Sequence, residues 1–312
     1  ALASTDVELL LKEIFKQEVT PTEVLQLHHA TKGWIMGIIL ATHPFIGSSH
    51  TSSGFSSLPE NIQSHEQLLI YFQDEIFSDI PDYLQIPFLQ LSLLEEIPTN
   101  LAISVTGNNQ IGEELLKLVQ NNYFLSLHNI EENVFRFHQL FQEFLQFRAN
   151  TQLLEKDQNR IFRLEADYYY AQSRTAKALA CYLKGKDLEF INTILKNEGL
   201  KLLAKNKTIS IYSVLKDIPY STLFQYDWLT LLTGIIQGDF APKESLPLLQ
   251  SARKQFKEKD DQVGELVALA QTIYYHFVVS GLYNTGAKLL PRAESLYLLH
   301  EDNLDTDVRI MV

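Results

Sequence analysis

Two side chains in the run Phe135-Arg136-Phe137-His138 have the chemistry to hold a phosphate. An imidazole can donate a hydrogen bond to a phosphate oxygen whether neutral or protonated, and its charge changes near neutral pH. A guanidinium offers a planar fork of N–H donors to the same oxygens. Each residue also has a plainer role. His138 could be a hydrogen-bonded structural residue at a strand end, and Arg136 could pair with an acid such as Glu143.

Other chemistries lack their residues. The sequence holds no G-x-x-x-x-G-K-[ST] loop, no H-E-x-x-H and no C-x-x-C. Its one cysteine, Cys181, falls inside a helical pattern, and the carboxylates are scattered on polar faces. No catalytic constellation assembles, so the chain reads as non-enzymatic. A lone cysteine also forms no internal disulfide, which fits a reducing cytoplasm.

The elements that must position His138 span residues 120–148. Tyr123 to His138 reads as a hairpin, with Phe124, Ile130, Val134, Phe135 and Phe137 around the polar turn Glu131-Glu132-Asn133. Leu140, Phe141, Phe144, Leu145 and Phe147 then recur at helical spacing. His138 sits where strand becomes helix. Upstream, one helix is expected over His65 to Phe77. A second starts at Pro81, a third runs from Pro98 to Gly107, and a fourth runs from Asn108 to Asn122. Together, residues 65–150 read as a winged-helix domain. Winged helices often bind DNA, but this one carries three basic residues against twelve acidic ones, and Glu113, Glu114, Glu131 and Glu132 fall on its fourth helix and wing tip. A phosphate backbone would be repelled, so direct nucleic-acid contact is not expected.

The flanks are helical. Residues 1–45 hold a helix capped at Ser4 or Thr5 and another beginning at Thr20-Pro21, then HATKGWIMGIILATH, where Gly33 and Gly37 would open one helix face to close packing. Residues 46–64 are rich in Ser and Gly and read as a linker. Residues 151–312 are helix after helix. There Gly238-Asp239-Phe240 with Leu248 to Ala252 echoes Gly281-Leu282-Tyr283 with Leu289 to Ala293, at an offset of 43 that shrinks to 41. That is the signature of a helical-pair solenoid, with a period longer than the tetratricopeptide value of about 34. Tyr168, Tyr169, Tyr170, Tyr274, Tyr275 and Tyr283 could contact a ligand or protein on its concave surface, or, as aromatics at helical spacing more often do, pack in its core. The fold class is therefore mainly α: a helical N-terminal segment, a winged helix with a small β-hairpin, and a TPR-like α-solenoid.

Composition agrees: 312 residues, 46% hydrophobic, 21% charged, with 13 glycines and 10 prolines. No uncharged apolar run is long enough to cross a membrane, and no signal peptide stands at the start. A formal charge of −12 argues against a grip on nucleic acid by the chain as a whole. The chain opens without Met and closes in an apolar helical pattern at Arg309 to Val312, so it reads as part of a longer protein.

FRFHQLFQEFLQFR resembles the arginine–aromatic–histidine–x–leucine–phenylalanine signature of MalT-type regulators, which are STAND-class signal-transduction ATPases. HATKGWIMGIIL resembles the T-x-G-W-P-x-G-L segment closing the family's helical lid, and ADYYYAQSRTAKALACYLKGKD resembles its first solenoid helices. The resemblance implies ADP or ATP in the full-length protein, not held stably by this chain alone. It implies nucleotide contacts from His138 and Arg136 on the winged helix and from Trp34 and Ile35 on the lid. Ile35 stands where the family has its adenine-side proline. The implied partners are an upstream P-loop domain, a downstream effector such as a LuxR-type DNA-binding domain, and a small-molecule or protein inducer on the solenoid. ADP would hold a closed monomer; inducer with ATP would favour an open form that self-associates. The alternative is a stand-alone TPR-like interaction module with no nucleotide role.

Overall fold

The computed structural model describes residues 2–15, 20–31, 33, 38, 72–120, 124–129, 133–204 and 208–312. It divides into two compact units, Ala1–Ile161 and Phe162–Val312.

The first unit opens with helices α1 (Ser4–Phe15) and α2 (Pro21–Thr31). Thr20 and Glu23 start α2 with a reciprocal capping box. The Thr20 backbone N–H donates to the Glu23 carboxylate at 2.8 Å, and the Glu23 N–H donates back to the Thr20 hydroxyl at 3.4 Å. Val7 and Leu11 of α1 pack on Val24 and Leu27 of α2, with Ile38 joining them. Gly33 does not open a helix face. Its φ of +70° ends the helix in a left-handed turn, its N–H donates to the His28 carbonyl, and its own carbonyl accepts the Leu2 N–H at 2.7 Å. A Cβ here would collide with the Leu2 carbonyl oxygen. Gly37, Trp34, Ile35 and the 46–64 linker lie outside the described residues.

Of the helix expected over 65–77, the described part is a π-helical turn, Phe72–Phe77. After it come α3 (Asp82–Ser92), strand β1 (Ile97–Pro98), α4 (Thr99–Thr106), α5 (Ile111–Gln120), β2 (Leu125–Asn129), β3 (Val134–Phe137) and α6 (Gln139–Gln152). Prolines and glycine set the bounds. Pro81 and Pro98 are extended N-caps, and Gly107, at φ +71°, ends α4 while donating to the Ile103 carbonyl at 2.8 Å. α5 buries Ile111, Leu115 and Leu118 and turns its charges outward. The sheet has the order β1-β3-β2, antiparallel throughout. β1 was not expected: two residues carry no periodic signal. Phe72, Phe88, Phe137, Phe141 and Phe144 meet through ring contacts of 5.3–6.0 Å, and this aromatic core fixes α6 against α3 and the sheet. Each buried ring stabilises by about 1.5–3 kcal/mol.

Helix α7 (Glu155–Ala171) runs across the boundary at Phe162 and begins the helical pairs of the second unit. The others are α8 (Thr175–Lys184), α9 (Leu188–Ala204), α10 (Thr208–Leu215), α11 (Tyr220–Leu223), α12 (Asp227–Phe240), α13 (Pro242–Glu258), α14 (Gln262–Tyr274), α15 (Tyr283–Ala287), α16 (Leu290–His300) and α17 (Thr306–Met311). First helices start at 155, 188, 227 and 262, and second helices at 175, 208 and 242. These steps sit close to the tetratricopeptide period of about 34, not to the longer echo in the sequence. The reason is local. Gly238 lies inside α12, whose turn comes at Ala241, whereas Gly281 is a left-handed turn residue at φ +67°. The glycines are not equivalent, because a π-helical segment, Tyr275–Val279, prolongs α14 before Gly281.

The core of this unit centres on Tyr169, Tyr182, Ile194, Leu232, Phe256 and Val267. A polar knot crosses it. Asp227, only 6% exposed, accepts from Lys259 Nζ at 2.8 Å, from Asn192 Nδ2 at 2.9 Å and from the Trp228 N–H at 2.8 Å. It thereby fastens α9, α12 and the end of α13.

Candidate functional site

His138 is the N-cap of α6. Its φ of −60° and ψ of 135° are extended, and its carbonyl accepts the first helical bond from the Gln142 N–H at 2.9 Å. The His138 N–H donates to the Phe124 carbonyl at 2.6 Å, which ties the residue to the start of β2. Phe124 reaches this position through a left-handed φ of 41°, and its ring meets the imidazole edge-on at 6.2 Å. The side chain is half-buried. Burial pushes its pKa below the ordinary 6.5, outweighing the opposite pull of the Glu143 carboxylate. The lowered pKa favours the neutral imidazole, which can donate from one ring nitrogen and accept at the other.

α6 begins without a side-chain cap and with no acid in its first turn. Its first backbone N–H groups and the helix dipole favour an anion there. Glu143 lies one turn further on, where it accepts from Gln139 Nε2 at 3.0 Å.

Arg136 is placed differently from expectation. Its partner is Glu96, at 3.1 Å, not Glu143. β3 buries Val134, Phe135 and Phe137 and leaves Arg136 half-exposed, with its guanidinium on Glu96 in the loop before β1. Glu96 lies 40 residues away in sequence, beyond the reach of a spacing argument. The guanidinium is thus already matched with a carboxylate.

Sequence reasoning also missed two glutamines. Gln142 Nε2 donates to the carbonyls of Ser92 and Leu94, at 2.9 and 2.8 Å, and Gln146 Nε2 donates to Ser92 at 2.8 Å. These acceptors stand at and just beyond the C-terminal end of α3. The four-residue spacing from His138 was visible, but an amide does not titrate and draws no notice among phenylalanines.

The other candidates sort simply. Tyr169 is fully buried, Tyr170 donates to Glu198 at 2.8 Å, and Tyr274 and Tyr283 are 55% and 65% exposed. Cys181 is buried, and burial, followed by the Glu165 carboxylate, pushes its thiol up to about 12. On α5, Lys117 pairs with Glu114 at 3.6 Å. The described residues hold no cluster able to bind a metal ion, and no helix among them is long and apolar enough to cross a membrane.

Residues 73–157 match the family profile of the MalT winged helix domain. The chain is similar to the HTH-type transcriptional regulator MalT of Vibrio parahaemolyticus, 24% identical over 73% of this chain and 25% of the relative. The MalT of Cronobacter sakazakii is 26% identical over 81% of this chain and 28% of its own length. That of Vibrio cholerae is 24% identical over 62% and 22%. The chain thus spans about a quarter of the length of these relatives. Residues 73–157 are a MalT-type winged-helix domain, and over most of its length the chain resembles the MalT-type transcriptional regulators.

Proposed function

We propose that this chain is the non-catalytic regulatory segment of a MalT-like transcriptional regulator, and that His138 is its latch on the phosphate of a bound nucleotide. The observation that carries this reading is the setting of His138: a half-buried imidazole with a lowered pKa at the uncapped start of α6. A neutral N–H donor beside a helix N-terminus suits a phosphate, and no acid stands in the first turn of α6. The residues present therefore fit the group. Arg136, engaged by Glu96, has the lesser part; Trp34 and Ile35 would bound the base from the lid. The domains are read as a lid segment over 1–45, a linker over 46–64, the winged helix over 65–150 and a sensor solenoid over 151–312. An upstream P-loop domain would supply the nucleotide and a downstream effector the output. ADP would keep the protein closed in the cytoplasm; inducer and ATP would open it to self-association. The acidic α5 is consistent with a winged helix used for packing and not for DNA.

The test is ADP retention by the full-length protein after purification, comparing wild type with His138→Ala. ADP is expected in the wild type and lost in the variant. Equal retention in both would reduce His138 to a structural residue. Absence from both would favour a second reading, an interaction module without nucleotide. The exposed apolar run Tyr274, Val278, Val279, Leu282 and Tyr283 supports that second reading.

A further inference from the structure

We infer that Gln142 is the positioning residue of this latch, with Gln146 behind it, so that the placement of His138 is governed by the C-terminal end of α3. The inference rests on the nucleotide reading of His138 above, and it adds the means by which that site is held. Gln142 does two things at once. Its backbone N–H closes the first turn of α6 on the His138 carbonyl at 2.9 Å, and its side-chain amide reaches the Ser92 and Leu94 carbonyls at 2.9 and 2.8 Å. Gln146 adds a second donor to Ser92 at 2.8 Å. A helix leaves its last carbonyls without intrahelical donors, and an acceptor stranded away from water is costly. Two amides one turn apart on α6 meet that need for α3. Ser92 is itself fully buried, so water is a poor substitute there. Any shift of the α3 end therefore strains bonds made by the very residue that closes the turn on His138. Hydrophobic packing between α3 and α6 could tolerate a slide of the helices; three directional bonds to two carbonyls could not.

The closing experiment has two readouts. The first is the imidazole resonances of His138 in the present chain, assigned by their loss in His138→Gln. The second is the rate of ADP loss from the full-length protein. Gln142→Met keeps length and removes the donors; Gln142→Lys restores a donor. Gln142→Met is expected to shift the His138 resonances and to speed ADP loss by about tenfold, the effect of leaving such acceptors unmet, with Gln142→Lys returning both toward wild type. Should Gln142→Met fail to fold, Gln146→Met, which leaves the Leu94 bond in place, is read in the same way with a smaller shift expected. Unchanged His138 resonances, or equal behaviour of the Met and Lys variants, would overturn the positioning role. If instead ADP is retained by His138→Ala, the nucleotide reading fails, and the resonance shift alone then decides whether Gln142 positions His138.

Discussion

At the scale of single residues, environment decides what each group can do. Burial lowers the pKa of His138, and this has a consequence for stability. Its folded pKa lies below the unfolded 6.5, so between those values the unfolded chain binds more protons. The contribution of His138 to stability is complete above about pH 6.5 and is lost as pH falls from there toward the folded pKa. Urea midpoints measured across that range should fall more steeply for the wild type than for His138→Gln, which has no proton to gain. Parallel curves would mean that the imidazole titrates as it does in the unfolded chain. The same scale shows what the sequence could reveal. His138 announced itself through its junction between strand and helix, because residue type and local pattern coincide there. The partner of Arg136 did not, because Glu96 reaches it only once β1 has paired with β3. The glutamines stayed hidden for a different reason. Their acceptors are backbone carbonyls 48 to 54 residues away, and carbonyls have no sequence identity to read.

At the scale of elements, local chemistry was legible wherever a residue restricts the backbone. Pro98 and Gly107 bracket α4 as expected, and Thr175 to Lys184 forms a helix closed by Gly185. Gly33 shows the limit of such reading. A glycine four residues from another suggests a packing face, but its job here is a left-handed turn against Leu2. Gly33→Ala must adopt that φ of +70° with a methyl group directed at the Leu2 carbonyl oxygen, and should cost about 1–3 kcal/mol. Amide exchange in α1 and α2 would report the loss; unaltered protection there would show that the turn relaxes freely. The π-helical segment after α14 is a second such limit. One extra residue per turn leaves no mark in composition, yet it displaced the repeat echo from the true helix spacing.

At the scale of the whole chain, each unit has its own means of holding its elements in order. In the second unit that means is polar as well as apolar. Burial alone would raise the pKa of Asp227, but the bonds from Lys259, Asn192 and the Trp228 N–H overcome it and keep the pKa below its usual value. Asp227→Ala removes the acceptor common to α9, α12 and α13, and a loss of about 2–3 kcal/mol is expected for a charged hydrogen-bonding centre. Hydrogen exchange should quicken across 188–274 while residues 73–157 keep their protection; a uniform loss over both units would contradict that division. The first unit meets a different demand at its sheet. Among the described residues β3 is paired on both sides and β2 pairs with β3 alone, which places β2 at the edge of the sheet, where another strand could add. The register breaks between Leu127 and Asn129, where exposed His128 is the extra residue. That bulge twists the edge and spoils the even spacing a newcomer would have to match. An open edge invites chance pairing with another copy of the chain, and a single surplus histidine works against it.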